Sequence, residues 1–215
     1  MEALHLSKII SKKFKCYSNL MNKIKIKSKI KSYEIIFKKV KKFKNEENFV
    51  FFIDYIFFKK NSFLFDKKIK KILIVANEKT KSFENLNKIF DKFFKLNPNR
   101  FTTLVCVGGG VLQDVSAFIA SITFRGLNWI FYPTTLLAQG DSCIGGKTSI
   151  NYKGSKNQIG NFYPPNKIFI DTNFLNTLKK NDILSGYGEM AHYYLLSSFK
   201  EQVFFKKRTE EILKN

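Results

Sequence analysis

Four polar side chains that could do chemistry lie close together in the sequence: Asp141, Lys147, Lys156 and Asn157. The two lysines can donate charge-assisted hydrogen bonds to a phosphate or carboxylate, the Asn157 amide can bind in a bidentate manner, and Asp141 can accept from hydroxyl groups. The glycines and threonines around them are not needed by a hydrophobic core, but they suit a site for a phosphorylated, hydroxylated substrate beside a nucleotide. The sequence GGKT resembles part of the Walker motif, but the full GxxxxGK pattern is absent, which excludes an ATPase interpretation.

The elements that must position these residues are strands and helices in alternation. Short apolar runs predict buried strands at residues 49–58, 72–76, 104–107 and 129–132. Apolar residues at helical spacing predict a helix over residues 82–96, with Ser82 placed to cap it and Pro98 beyond its end. Further helices are predicted over residues 111–122 and 182–199. This alternation predicts an α/β fold.

Three consecutive glycines, Gly108 to Gly110, separate the predicted strand 104–107 from the predicted helix 111–122. A glycine turn that leads into a helix N-terminus suits a phosphate, because the backbone can approach closely and the helix dipole favours an anion. A tight turn that binds nothing explains the glycines equally well, and Asp114 is then an ordinary first-turn acid. The turn alone therefore leaves both interpretations open.

The chain is strongly basic, with a formal net charge of +21 over 215 residues and a hydrophobic fraction of 44% that argues against disorder. Residues 1–100 hold 26 Lys and Arg but only 9 Asp and Glu, so the excess belongs to the N-terminal half. Residues 1–30 are interpreted as a basic appendage. The alternation KIKIKSKIK at residues 23–31 suits an edge strand or a partly ordered arm, and no interleaved aromatic residues support nucleic-acid binding. Solvated lysine faces and a polyanion-binding surface remain the two explanations.

The three cysteines, Cys16, Cys106 and Cys143, are odd in number and lack CxxC spacing, which favours a reduced compartment. The first residues hold no apolar core long enough for a signal peptide, and Asp54 interrupts the longest apolar stretch. We expect a cytoplasmic protein without membrane contact.

Five blocks of sequence, in order between residues 74 and 192, resemble the signature blocks of 3-dehydroquinate synthase and the related sugar-phosphate cyclases. They are GGGVLQDVSAFIASITFRG, PTTLLAQGDSCIGGKTSIN, GSKNQIGNFYPP, DTNFLNTL and SGYGEMAH. The resemblance implies a Rossmann-like NAD-binding domain at residues 31–175, followed by the first helices of an all-α metal and substrate domain at residues 176–215. It also implies a homodimer that eliminates phosphate from 3-deoxy-arabino-heptulosonate 7-phosphate and cyclises it to 3-dehydroquinate, in the shikimate pathway to aromatic amino acids.

Site residues are carried over from the resemblance by motif. The residues expected at NAD are Glu78, Lys81, Gly109, Gly110, Asp114, Thr134, Thr135, Asp141, Lys147, Lys156, Phe174, Thr177 and Leu178. The residues expected at the substrate are Arg125, Asp141, Lys147, Lys156, Asn157 and His192, with Arg125 reaching the substrate phosphate across the dimer interface. Glu189 is the expected ligand of a divalent metal, zinc or cobalt.

The chain also departs from the family pattern. His192 stands where the family has lysine, so it either joins Glu189 at the metal or replaces a substrate-binding lysine. Gln113 replaces a usual glycine, and Ile56 stands near Asp54 where the family tends to have asparagine. These differences leave a related sugar phosphate open as the substrate.

The family continues through a helical domain that supplies two further histidine ligands, whereas the histidines here are His5 and His192. The resemblance therefore implies a fragment with an incomplete metal site, or a protein without catalysis that still binds NAD. A truncated helical domain leaves an apolar face uncovered, and we expect poor solubility from Met190, Tyr194, Leu195 and Phe199. A dehydrogenase of the glycerol or iron-alcohol type is disfavoured by the GGKT and SKN blocks.

Overall fold

The computed structural model describes residues 23–214, which form a parallel sheet with helices on both faces. The strands are β1 Lys23–Ile26, β2 Tyr33–Phe37, β3 Phe49–Asp54, β4 Lys71–Ile74, β5 Thr103–Gly108, β6 Asn128–Pro133, β7 Ile150–Tyr152, β8 Ser155–Ile159 and β9 Lys167–Ile170. Seven of these described strands form one sheet in the order β1-β2-β9-β6-β5-β3-β4, in which only β1 is antiparallel to its neighbour. β7 and β8 form a separate antiparallel hairpin. The expected α/β class is confirmed.

The helices follow the strands that they cover. They are α1 Tyr55–Asn61, α2 Phe83–Phe94, α3 Gly110–Ile122, α4 Lys180–Leu195 and α5 Phe199–Lys214. Side chains alternate between the two faces of β3, so Phe52 packs with α2 and α3 while Phe51 and Ile53 pack in a second cluster with Phe57 of α1. A parallel sheet buried on both faces needs the nearly continuous apolar strands seen in the sequence.

Two predicted elements are wrong in their extent. The apolar run 49–58 is not one strand, because β3 ends at Asp54, whose Oδ1 accepts from the Phe57 amide at 2.8 Å and caps α1. The helix predicted over residues 182–199 is two helices, since α4 ends at Leu195 and α5 begins at Phe199. Ser82 does stand at the N-cap of α2, although its side chain makes no capping hydrogen bond.

The basic N-terminal segment lies only partly within the described residues. Residues 1–22 are outside them, whereas β1 pairs with β2 as the edge strand at one side of the sheet. Lys23 contacts Glu34 on that neighbouring strand at 2.5 Å. The domain boundaries at residues 30 and 175 stay predictions. Within residues 23–214, no helix has the length and apolar character needed to cross a membrane.

Candidate functional site

The strand order predicts a ligand-binding crevice at the carboxyl ends of β3 and β5. The chain leaves β3 towards β4 on one side, and it leaves β5 towards β6 on the other. Adjacent parallel strands whose connections diverge in this way open a crevice, and ligands of doubly wound α/β proteins bind there. The glycine turn after β5 and the start of α1 after β3 border this crevice.

The glycine turn is closely packed, and Gly109 is the N-cap of α3. A Cβ on Gly108 would lie 2.7 Å from Leu112 Cδ2, and one on Gly109 would lie 2.8 Å from Thr135 Cγ2. No side chain caps the first turn of α3, so its amides keep the anion-binding potential of a helix N-terminus. The Thr134 amide donates to the Gly108 carbonyl at 2.9 Å, which joins the end of β6 to this turn.

A polar network links the loop after β4 to α3 and to the hairpin β7–β8. The Lys81 ammonium lies 2.5 Å from Asp114 Oδ2 and donates to Asn157 Oδ1 at 2.7 Å. The Ser149 hydroxyl lies within hydrogen-bonding distance of the same two acceptors, at 3.2 Å and 3.0 Å, and can donate its one proton to either of them. Lys81 is only 6% exposed, so these partners take the place of the water that would otherwise solvate its side chain. Lys81, Asp114 and Asn157 are thus in direct contact although they are far apart in the sequence.

Glu78 enters the same network through Asn151. The Asn151 amide donates to Glu78 Oε2 at 2.7 Å, and its Oδ1 accepts from the Asn157 backbone amide at 3.0 Å. Asn157 has φ of 58°, a left-handed conformation that asparagine tolerates better than most residues. Ser149 and Asn151 were missed as individual residues, although both belong to the TSIN sequence within a recognised block.

Burial changes the acidity of Asp114. Desolvation raises the pKa of its carboxyl group, while Lys81 and the Ser149 hydrogen bonds oppose that rise. The contacts with Lys81 and Ser149 therefore stabilise the charged form of Asp114 against the cost of burial.

A second group of contacts surrounds Asp141 in a π-helical turn, Ala138–Ser142, that follows β6. Such turns are rare and often occur at functional sites. Asp141 Oδ1 accepts from the Tyr193 hydroxyl of α4 at 2.6 Å. Gln113 of α3 donates to the Ser142 carbonyl at 2.6 Å, and the Ser142 hydroxyl donates back to Gln113 Oε1 at 3.1 Å. The glutamine that replaces a family glycine thus connects α3 to the turn, and sequence reasoning missed Tyr193.

Lys147 and Lys156 are exposed, and neither side chain bonds to another residue within 23–214. Their ammonium groups are thus available to a ligand. Arg125 is also exposed, but it lies after α3, whose 13 residues span about 20 Å from the glycine turn. The structure therefore does not bring Arg125 together with the rest of its own chain's candidate site.

The residues that follow β9 lie in a short 3₁₀ segment, Thr172–Thr177. Phe174 is buried against Phe57 and Phe43 in the core, and the Thr177 hydroxyl donates to the Phe174 carbonyl at 3.0 Å. The Leu178 amide donates to the Leu175 carbonyl, which closes the segment. The side chains of Phe174 and Thr177 are therefore used to hold the backbone at the carboxyl edge of the sheet, and they offer little to a ligand.

Glu189 and His192 both lie exposed on α4. The His192 ring is turned towards its own helix, because Nδ1 contacts the Glu189 carbonyl. A catalytic zinc takes three protein ligands, and the described part of the chain holds no group of three His, Cys, Asp or Glu side chains suited to a metal. Residues 23–214 therefore do not make up a complete metal site.

Comparisons with known proteins agree with the sequence blocks. The model of the family described as 3-dehydroquinate synthase N-terminal matches residues 71–185. The 3-dehydroquinate synthase of Pelagibacter ubique is 37% identical over 213 residues, covering 89% of this chain and 56% of that protein. The enzyme of the same name from Haemophilus ducreyi is 47% identical over 126 residues, covering 59% of this chain and 35% of that protein. The chain thus spans about half the length, or less, of these curated relatives.

A solved structure shares the fold. It is 2-deoxy-scyllo-inosose synthase complexed with carbaglucose-6-phosphate, NAD⁺ and Co²⁺, with a TM-score of 0.67 and 22% identity over 82% of this chain and 52% of that chain. The polar network, the glycine turn and the Asp141 turn all fall within the segment that the family model matches. Since that segment is more than half of the chain, the protein belongs to the 3-dehydroquinate synthase N-terminal family.

Proposed function

We propose that this chain is the NAD-binding part of a 3-dehydroquinate synthase that acts on 3-deoxy-arabino-heptulosonate 7-phosphate in the shikimate pathway. The observation that carries the proposal is the hydrogen-bonded network of Lys81, Asp114 and Asn157 beside the glycine turn. All three are residues that the family resemblance assigns to the cofactor or substrate. The curated relatives named 3-dehydroquinate synthase support the same reaction.

NAD suits the glycine turn for a reason that is visible in its packing. The N-terminus of α3 carries no side-chain cap, and a Cβ on Gly109 would clash with Thr135, so the turn needs glycine there and offers backbone groups to a ligand. A pyrophosphate binds well to such a surface. When bound, NAD would supply the hydride acceptor and donor for a transient oxidation of the substrate. Lys81 and Asp114 would hold the loop after β4 against α3 and so keep the cofactor crevice in one shape.

The exposed side chains are assigned to the substrate by their charge. Lys147 and Lys156 would bind its phosphate or carboxylate, since their ammonium groups are exposed. Asp141 would accept from a substrate hydroxyl through Oδ2, which accepts no hydrogen bond within the described residues. Asn157 would offer its amide nitrogen, because its Oδ1 already accepts from Lys81.

Arg125 would serve a second copy of the chain. Its place at the far end of α3 separates it from the other substrate residues of its own chain, so it could reach a substrate phosphate only across a homodimer interface. Mixing inactive Arg125→Ala protein with inactive Lys147→Ala protein would then restore part of the activity through mixed dimers.

Glu189 would be the ligand of a divalent metal, and His192 is its neighbour on the same helix. These two side chains are fewer than the three that a catalytic zinc requires, so ligands from outside the described residues would have to complete the site. We therefore assign no step of the reaction to a metal.

Two measurements test the function. Calorimetry should detect NAD binding to this chain, and its absence would overturn the proposal. Phosphate release from 3-deoxy-arabino-heptulosonate 7-phosphate, measured with NAD and added Zn²⁺ or Co²⁺, tests catalysis. Release from sedoheptulose 7-phosphate instead would make the protein a cyclase of another heptulose phosphate, and NAD binding without release from either would make it a non-catalytic NAD-binding protein.

A further inference from the structure

We propose that Tyr193 is a positioning residue of the candidate site, whose hydroxyl holds the Asp141 carboxylate in its ligand-binding orientation. This inference rests on the proposed function, since it takes Asp141 to contact NAD and substrate. Nothing in the family resemblance or in the comparisons assigns a role to Tyr193.

The contact is short and joins two separate elements. The Tyr193 hydroxyl of α4 donates to Asp141 Oδ1 at 2.6 Å across 52 residues of sequence. A hydrogen bond to a carboxylate is stronger than one between neutral groups, and it fixes the rotation of the carboxylate plane. With Oδ1 so engaged, Oδ2 accepts nothing from the described residues and remains open to a ligand.

The docking of α4 makes this contact geometrically specific. Gly186, Met190 and Tyr193 are spaced four and three residues apart, so they lie along one face of the helix. A Cβ on Gly186 would lie 2.9 Å from the Leu137 amide nitrogen, and the Met190 sulfur lies 2.8 Å from where a Cβ on Gly140 would be. Two glycines, one on each element, thus allow the helix and the Ala138–Ser142 turn to approach closely.

The donor and the acceptor of this contact follow from their chemistry, since the Tyr193 hydroxyl carries the proton and the Asp141 carboxylate accepts it. The contact also connects Asp141 directly to α4, the helix that carries Glu189 and His192.

The test compares Tyr193→Phe with Tyr194→Phe, which removes a hydroxyl from the next residue of α4. Tyr194 stacks on Phe205, and its hydroxyl donates to no residue within 23–214, so it is a matched control. We expect Tyr193→Phe to weaken NAD binding by about tenfold, the loss expected for one hydrogen bond to a charged group, and Tyr194→Phe to change it less than about twofold.

Asp141→Ala completes a double-mutant cycle, because alanine, unlike asparagine, leaves no oxygen to accept from Tyr193. If the tyrosine acts through the carboxylate, Tyr193→Phe should have less than about a twofold effect on NAD binding in the Asp141→Ala background. Equal effects in both backgrounds would overturn the proposal, as would unchanged NAD affinity in Tyr193→Phe. If the wild-type chain binds no NAD, the proposed function fails separately. The same cycle is then measured by urea unfolding. Non-additive changes in the free energy of unfolding would support the pairing of Tyr193 with Asp141, and additive changes would overturn it.

Discussion

The Lys81 ammonium and the Asp114 carboxylate form an ion pair of 2.5 Å whose side chains are only 8% and 18% exposed. Lys81 follows β4 at the edge of the sheet, and Asp114 lies in the first turns of α3 beside the glycine turn. A largely buried pair of this kind is sensitive to the loss of either partner, because the remaining charge has no solvent to stabilise it. The pair therefore makes the local structure of the crevice depend on two single residues.

Replacing Lys81 by methionine should lower the free energy of unfolding by about 3 kcal/mol, because Asp114 would remain buried without its cation. Urea unfolding followed by circular dichroism measures this change. Lys79→Met is the control, since Lys79 is exposed on the same loop and has no ion pair within the described residues. Equal midpoints for the two variants would show that the pair contributes nothing to stability.

Asp114 should make stability depend on pH in a defined direction. Its pKa is raised in the folded protein, mainly by burial, so its contribution is fully present below the unfolded pKa of about 3.9 and is lost as pH rises through the folded pKa. The free energy of unfolding of the wild type, relative to Asp114→Asn, should therefore fall as the pH rises above about 3.9 and through the folded pKa of Asp114. Urea titrations across this range test it. A difference that grows with pH would mean that Lys81 outweighs burial.

Gly109→Ala should impair ligand binding. The new methyl group would lie 2.8 Å from Thr135 Cγ2, so the glycine turn or Thr135 must move. We expect NAD affinity to fall at least about tenfold, with a loss of stability of about 1–3 kcal/mol from overpacking. Gly188→Ala is the control, because a Cβ there meets nothing within 4 Å. Calorimetry compares the NAD affinities of the two variants. Wild-type affinity in Gly109→Ala would contradict a cofactor role for this turn.

The end of α4 and the start of α5 expose apolar side chains that should promote self-association. Leu196 is 70% exposed and Phe199 is 80% exposed, with Leu195 beside them at 67%. Replacing Leu196 and Phe199 by glutamine should lower the apparent mass of the protein in concentration-dependent light scattering. Phe63→Gln removes a similarly exposed phenylalanine, 74%, that follows α1, and it should have no such effect. Identical scattering from the wild type, the Leu196 and Phe199 double variant, and Phe63→Gln would rule out this surface as the cause of self-association.

The strand, glycine turn and helix around Gly109 could be predicted because each is encoded locally. Apolar residues in β5, glycines at the turn and helical spacing in α3 all agree. Asp54 was harder to interpret. It lies inside a continuous apolar run, and its role as a helix cap depends on a backbone turn that periodicity does not show.

The polar contacts of the site could be predicted as a set of residues but not as pairs. The family resemblance points to Lys81 and Asn157, yet their contact spans 76 residues and exists only once the hairpin packs beside α3. Tyr193 had no signal of its own, because helical spacing assigns it to a face without saying what that face meets. The assigned functions of the site residues stay predictions that the experiments above address.

The position of β9 between β2 and β6 has a consequence for biosynthesis. β2 pairs with β9 in parallel, and Glu34 and its partner Lys167 are 133 residues apart. At typical translation rates, β2 leaves the ribosome roughly 7 to 27 s before its inner neighbour is made. The hairpin of β1 and β2 therefore has no inner neighbour to pair with until β9 is made, and the alternating lysines of β1 disfavour pairing of this edge with strands of other nascent chains.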